Sequence, residues 1–187
     1  MTTILLARHG ETDWNRDGRF QGWADPPLNE LGREQAQSLA DRLRETPFDA
    51  VYTSDLRRAR ETAEIVAAPH GVPVVSDTAL REIDVGSWSG LTRAQIEERF
   101  PGTHHHDGET REHHAARVVD AVERIARAHP RGRILVVSHG GSLRALRHHC
   151  VGDPVQVLEN CGVYELHFRD DRLVAADPRA RGRDAIG

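Results

Sequence analysis

What most constrains this chain is a junction that occurs twice, an apolar run that stops on a histidine. Thr3-Ile4-Leu5-Leu6-Ala7 reads as a buried strand and passes directly into Arg8-His9-Gly10-Glu11-Thr12. Far downstream, Ile134-Leu135-Val136-Val137-Ser138 runs into His139-Gly140-Gly141, with a helix expected from near Ser142. Open α/β sheets keep their ligands beyond the C-terminal ends of such strands, so the two histidines are expected to share one pocket.

The rest of the chain alternates in the same way. Asn29 is placed to cap a helix whose apolar positions Ala36, Leu39, Ala40 and Leu43 follow helical spacing up to Pro47. A strand is expected at 50–53, then a helix capped by Asp55 and running from about Leu56 through Val66. Val72 to Val75 reads as a brief strand, and Leu80 to Gly90 as loop. A short helix is expected over Arg93 to Phe100, and a long one from about Glu109 to Ala128, striped by Val118, Val122, Ile125 and Ala126. Val163 to Phe168 alternates as an antiparallel or edge strand does, with Arg172 to Ala176 pairing to it across Asp170-Asp171. The pattern predicts an α/β fold, a three-layer α/β/α sandwich with a mainly parallel central sheet. Residues 1–177 are expected to form one domain and 178–187 a flexible tail.

Composition narrows the function. With 187 residues and a formal charge of −4, the chain offers no broad basic face, so nucleic acid is not an expected partner. No apolar stretch reaches the roughly 20 residues of a membrane helix. With no leader sequence evident and only Cys150 and Cys161 as thiols, a cytoplasmic, reducing location is expected. All 25 basic residues are arginine, which excludes lysine Schiff bases and lysine-bearing phosphate loops.

Arginine forks are well suited to holding the three charged oxygens of a phosphoryl group. Arg8 arrives with His9, Arg58 near the start of the second helix, and His139 and Gly140 at a helix N-terminus, together an anion cradle. A neutral imidazole among cations keeps a lone pair free, which makes His9 the candidate nucleophile. The leaving oxygen then needs a proton, for which Glu82 is the candidate and Asp84 the fallback.

These residues carry a resemblance. Arg8-His9-Gly10-Glu11-Thr12 with Asn15, Gln21-Gly22, Ser54-Asp55-Leu56-Arg57-Arg58-Ala59 with Glu61-Thr62-Ala63, Leu80-Arg81-Glu82 with Gly86-Ser87-Trp88-Ser89-Gly90, and Ser138-His139-Gly140-Gly141 resemble, in order, the histidine phosphatase superfamily. That superfamily includes the cofactor-dependent phosphoglycerate mutases. The resemblance implies a phosphoglycerate mutase-like fold and a phosphohistidine on His9. It places Arg8, Arg58 and His139 around the phosphoryl group, makes Glu82 the proton donor, and sets Asn15, Gln21 and Gly22 on the phosphate or substrate side. It also implies hydrolysis of a small phosphorylated metabolite without metal or other cofactor. The chain is shorter than the mutases and lacks their insertion after the Glu82 segment, which favours the phosphatase branch. Mutase-type phosphoryl transfer and a non-catalytic module binding phosphorylated ligands are the alternatives.

One departure stands out. Asp107-Gly108-Glu109-Thr110 replaces the Gly-Gly-Glu-Ser-like segment of such phosphatases and should lie over the pocket mouth, where it bears on substrate preference. His104-His105-His106 with His113 and His114 lacks the spacing of a metal site. Arg57 and Arg60 are read as solvated, His148 and His149 as exposed at a helix C-terminus, and Trp88 and Asn160-Cys161 as packing residues. The strand near Val163 or the last helix offers a surface on which two copies could pair as a homodimer.

Overall fold

A computed structural model describes residues 1–152 and 155–176. Strands β1 (Thr2–Arg8), β2 (Ala50–Thr53), β3 (Val74–Ser76), β4 (Arg133–Ser138), β5 (Val163–Arg169) and β6 (Arg172–Ala175) form one sheet in the order β3-β2-β4-β1-β5-β6. The first four are parallel, and β5 and β6 are antiparallel, so the sheet is mainly parallel as expected. β5 is internal, however, and β6 is the edge strand, because the Asp170-Asp171 turn folds the chain back onto the outer side of β5. The expected strand at 72–75 lies at Val74–Ser76.

Alternation along each strand sorts side chains to the two faces. Leu5, Ala7, Leu135, Val137 and Val51 pack with α2 (Glu30–Leu43) and α3 (Arg57–Ala67). Ile4, Leu6, Ile134 and Val136 pack with α5 (Arg111–Ala128) and α6 (Gly140–Val151). Ala36, Leu39, Ala40 and Leu43 are all buried, as their spacing requires, and each of the two leucines contributes roughly 1.5–3 kcal/mol. The three layers thus follow from two strand periodicities and two helical stripes.

Helix ends show where local reasoning held and where it failed. Asn29 does cap α2, its Oδ1 accepting from Gly32 N at 2.8 Å. Asp55 does not cap α3. The cap is Leu56, without a side-chain bond, and the Asp55 carboxylate instead takes both arms of Arg81 (2.7 and 2.5 Å). Helix α5 starts at Arg111 behind the Thr110 cap, and α6 starts at Gly140, not Ser142, with His139 itself as the cap residue. A four-residue helix, α1 (Asp13–Arg16), was not expected. A capping box builds it, Asn15 N donating to Thr12 Oγ1 and Thr12 N to Asn15 Oδ1. The 80–90 segment contains a short 3₁₀ turn at Gly86–Trp88, and α4 (Arg93–Arg99) follows it. The expected flexible tail at 178–187 lies outside the described residues.

Candidate active site

The two histidines meet because their strands are neighbours. β1 and β4 run parallel with Arg8 opposite Ser138, and His9 N donates to Ser138 O at 3.0 Å. Each histidine is the next residue, so both rings leave the same end of the sheet. Their centroids lie 5.2 Å apart with the planes at 62°. The chain after β1 goes to the α2 face and the chain after β4 to the α6 face, which opens a crevice between them.

His9 is buried, and its Nδ1 lies 2.6 Å from Gly10 O. A carbonyl only accepts, so Nδ1 carries the proton and Nε2 keeps its lone pair. Burial first, then the charges of Arg58 and Arg8, hold the His9 imidazole well below its ordinary value of 6.5, in the neutral form. His139 is held low for the same reasons. Asn160 Nδ2 donates to His9 O at 2.9 Å, so Asn160 fixes the backbone of the candidate nucleophile and does more than pack. Gly10 must be glycine: a Cβ would collide with the backbone of Gly32 in α2.

The guanidiniums are pinned by carbonyls. Arg8 Nη1 donates to Leu158 O (2.7 Å); Arg58 donates from Nη1 to Ala24 O (2.7 Å) and from Nη2 to Gly22 O (2.8 Å). Arg58 is only 1% exposed, and burial pushes it down to about 10. Gly22, at φ +50°, serves by its carbonyl hold on Arg58, and a Cβ there would strike Val85. Arg57 and Arg60, on either side of Arg58 in sequence, are exposed. Register on α3 alone separates them.

Arg8 Nε, Arg58 Nε and both ring nitrogens of His139 are buried without a protein partner. Each such atom costs about 1–3 kcal/mol unless something accepts from it or donates to it. Arg8 and Arg58 line one crevice, and the His139 ring lies against His9 beside it, an arrangement suited to an oxygen-rich anion.

Glu82 faces the same cavity. Its Oε2 accepts from Gly141 N and its Oε1 from Ile83 N, both at 2.9 Å. A side chain on Gly141 would overlap that carboxylate. Asp84, the fallback, is not in the cavity wall and accepts from Gly86 N instead. Asn15 and Gln21 line the wall; Thr12 Oγ1 donates to Gln21 Oε1 (3.0 Å), which leaves the Gln21 amide NH₂ as the end able to donate to a phosphoryl oxygen. Arg8, His9, Asn15, Gln21, Gly22, Arg58, Glu82 and Gly140 therefore all border one cavity of about 740 Å³, with His139 buried against His9.

Sequence reasoning missed what holds Glu82. Arg117 on α5 donates to the carbonyls of Ala79 (2.8 Å), Arg81 (3.1 Å) and Glu82 (3.3 Å) and is itself gripped by both oxygens of Glu109 (2.9 and 2.6 Å). The Glu109 side chain is 7% exposed. Burial pushes its carboxyl up, but the Arg117 guanidinium outweighs this and holds it below the ordinary range. Ser138 Oγ donates to Leu80 O and Trp23 Nε1 to Glu82 O, both at 2.8 Å. Ser142 Oγ donates to Arg81 O and so accepts from His114 Nε2, each at 3.0 Å. Every carbonyl from Ala79 to Glu82 is thereby occupied. These partners lie tens of residues away, and no local pattern announces them.

The Asp107-Gly108-Glu109-Thr110 segment does not line the cavity, so it is not the expected cover over the mouth. Glu109 points inward to Arg117, and Asp107 Oδ1 accepts from Ser87 N (2.7 Å) and Ser87 Oγ (2.9 Å). His104 and His106 do line the cavity, and Trp88 stacks edge-on with both Phe20 and His106 while forming part of the wall. Among the described residues no three His, Cys, Asp or Glu side chains converge as metal ligands would. His148 and His149 are exposed at the end of α6, His148 also bordering the cavity.

With this geometry in view, comparison with known proteins is direct. A model of the histidine phosphatase superfamily (branch 1) matches residues 4–178, and the chain belongs to that family. It is 38% identical over 190 residues to a metal-independent phosphoserine phosphatase of Arabidopsis thaliana, covering 93% of this chain and 79% of the relative. A mycobacterial glucosyl-3-phosphoglycerate phosphatase, solved in complex with VO3, superposes with a TM-score of 0.84 at 32% identity, covering 94% of this chain and 97% of that one. A phosphoglycerate mutase of Bacillus anthracis shares the fold as well, with a TM-score of 0.81 at 25% identity over 93% and 91% of the two chains.

Proposed function

We propose that this protein is a phosphatase that hydrolyses a small phosphomonoester by passing the phosphoryl group through His9. The observation that carries the reading is that Arg8 and Arg58, each with a buried Nε lacking a protein partner, and the unpartnered His139 ring surround a neutral imidazole whose Nδ1 is already committed to Gly10 O. The names of the phosphatases to which the chain is similar support hydrolysis.

The His9 Nε2 lone pair attacks phosphorus in line, and the ester P–O bond breaks. Its electron pair leaves with the alkoxide oxygen, which takes the proton of the Glu82 carboxyl group. The guanidiniums of Arg8 and Arg58 and a ring N–H of His139 hold the three equatorial oxygens as charge develops on them. Water then attacks the phosphohistidine and gives a proton to Glu82. The N–P bond breaks, and inorganic phosphate leaves with His9 neutral and Glu82 protonated again. No step calls on a metal, because the cationic charge is supplied by arginine.

A cytoplasmic setting belongs to the same reading. It is supported by Cys150 and Cys161, both free, with burial pushing each thiol up to about 12 and so out of ready oxidation. Among the described residues no helix is long and apolar enough to cross a membrane.

The test is release of inorganic phosphate from para-nitrophenyl phosphate, with and without a strong chelator, by the wild type and by His9→Ala. The wild type is expected to turn over equally in both conditions, and the variant to be inactive with an unchanged circular dichroism spectrum. Turnover by His9→Ala within a few-fold of wild type would overturn the assignment, and binding without turnover by the wild type would favour a non-catalytic module.

A further inference from the structure

Helix α5 presents two polar side chains to the Glu82 segment. Arg117 grips the backbone there, and His114, one turn earlier on the same face, lies beside the Glu82 carboxylate. Its neighbour His113 is exposed and reaches Glu109 (3.1 Å), whereas the His114 side chain is only 5% exposed and borders the reaction cavity. Groups of both signs face the buried ring: Glu82 from the segment before the 3₁₀ turn, Arg117 and Glu109 from α5 and the residues leading into it, and His139 from the start of α6. Burial outweighs the pull of Glu82 and holds the ring below its ordinary value of 6.5, in the neutral form.

A neutral imidazole has one N–H, and here it sits on Nε2. The Ser142 hydroxyl has a single hydrogen, which it gives to Arg81 O, so it accepts from His114 Nε2, each at 3.0 Å. The same Nε2 is 3.8 Å from Glu82 Oε1, too far for a hydrogen bond but only about 0.8 Å from one. Glu82 needs another donor in one state only. Its oxygens take one backbone N–H each, Oε1 from Ile83 and Oε2 from Gly141. Once the acid has given its proton to a leaving oxygen, the carboxylate has further lone pairs and a full charge on a side chain only 17% exposed. The His114 N–H is close enough to turn to it. Ser142, by contrast, does not depend on the ring, because its own hydrogen stays on Arg81 O whatever occupies position 114.

We infer that His114 is a positioning residue with a switchable hydrogen bond: its Nε2–H rests on Ser142 Oγ and turns to Glu82 Oε1 as that carboxyl group gives its proton to the leaving oxygen. This rests on the phosphatase reading above and deepens it. No proton leaves the ring and no covalent bond to it changes. The N–H exchanges a neutral acceptor for an anionic one, and the charge-assisted bond is the stronger of the two. Because the charge on Glu82 develops only as the acid acts, the new bond favours the transition state over the bound ester. When water later returns a proton to Glu82, the N–H goes back to Ser142. The gain scales with the leaving oxygen's need for a proton, so alkyl and aryl esters respond differently to loss of the ring.

The experiment measures kcat and KM for propyl phosphate and para-nitrophenyl phosphate with the wild type, His114→Leu, His114→Phe and His114→Gln. The two apolar variants fill the space of the ring without a donor, and the amide of the third keeps an N–H near the Nε2 position. Each apolar variant is expected to lose about tenfold in kcat on propyl phosphate, as loss of one hydrogen bond to a charged group does, with KM unchanged and para-nitrophenyl phosphate within about twofold of wild type. His114→Gln is expected to recover most of that loss. In a Glu82→Gln background, His114→Leu should add less than about twofold, since the ring acts through that carboxylate. An unchanged thermal transition identifies the variants that are folded, and either apolar variant alone decides. Equal losses on both esters, a loss confined to KM, a loss that His114→Gln does not recover or that persists in the Glu82→Gln background, or no loss at all would overturn the inference while para-nitrophenyl phosphate turnover leaves the phosphatase intact. Absence of phosphate release from both esters by the wild type would instead remove the phosphatase reading itself.

Discussion

The inner end of the cavity and its mouth are both lined with arginine, yet they are built in opposite ways. Inside, Arg58 is almost fully buried, its outer nitrogens spent on Ala24 O and Gly22 O, and burial pushes it down to about 10. At the mouth, Arg93, Arg111 and Arg144 are exposed and tied to nothing among the described residues. Burying a cation costs stability, and the return is a donor fixed before the substrate arrives, in a medium where its charge is weakly screened. An exposed arginine costs little and can be exchanged without disturbing the fold. The comparison teaches that the cavity holds arginines of two kinds, one buried and pinned, the other exposed and replaceable.

The sharpest way to break that contrast is to remove an inner cation. Arg58→Gln should lower kcat/KM on every ester by about 10²- to 10³-fold, as loss of a transition-state donor does, and it should do so regardless of the leaving group. A loss as small as that of an exposed mouth arginine would erase the distinction. Next comes Glu82→Gln, which should reduce turnover of alkyl phosphates by about 10²- to 10⁴-fold but aryl phosphates far less, since a good leaving group needs no proton. Equal losses on both classes would remove Glu82 as the acid.

Arg117 tests whether the inner layer is rigid by construction. Arg117→Gln leaves the buried Glu109 carboxylate with only the exposed His113 ring beside it, so urea unfolding should show a loss of about 3 kcal/mol. It should also slow alkyl phosphates more than aryl phosphates, because the segment bearing Glu82 loses three carbonyl contacts. Unaltered stability would show that the clamp is idle.

The smallest expected effect is a pH dependence of stability. The imidazoles of His9, His139 and His114 are held below 6.5 by burial first and neighbouring cations next, or, at His114, by burial against the pull of Glu82. In the unfolded chain they titrate near 6.5, so below that pH the unfolded state binds more protons. Stability should be level above about pH 6.5 and decline as the pH falls from there towards the depressed folded values, measured as the urea midpoint between pH 8 and pH 5. A midpoint that rises with acidification over that range would contradict the burial of neutral rings.

Much of this was legible in the residues because it is local. A strand that stops on Arg8-His9, a second that stops on Ser138-His139, and the stripes at Ala36, Leu39, Ala40 and Leu43 are written within single turns or single strands. What was not legible depends on partners far away in sequence. Asp55 has the right side chain for a cap, but Arg81 competes for it and wins with a bidentate grip. Asn160 reaches the His9 carbonyl across 151 residues, and Arg117 looks like any helical arginine until Ala79, Arg81 and Glu82 are brought beneath it. Helix α1 is too short for periodicity to reveal, and only its Thr12–Asn15 capping pair marks it.

The central claim is that phosphorus is transferred twice, first to His9 Nε2 and then to water. It is tested most directly by the stereochemical course at phosphorus, using an oxygen-isotope-chiral phosphate ester and reading the configuration of the phosphate released. Two in-line displacements predict overall retention. Inversion would mean that water attacks the ester directly and that His9 never carries the phosphoryl group.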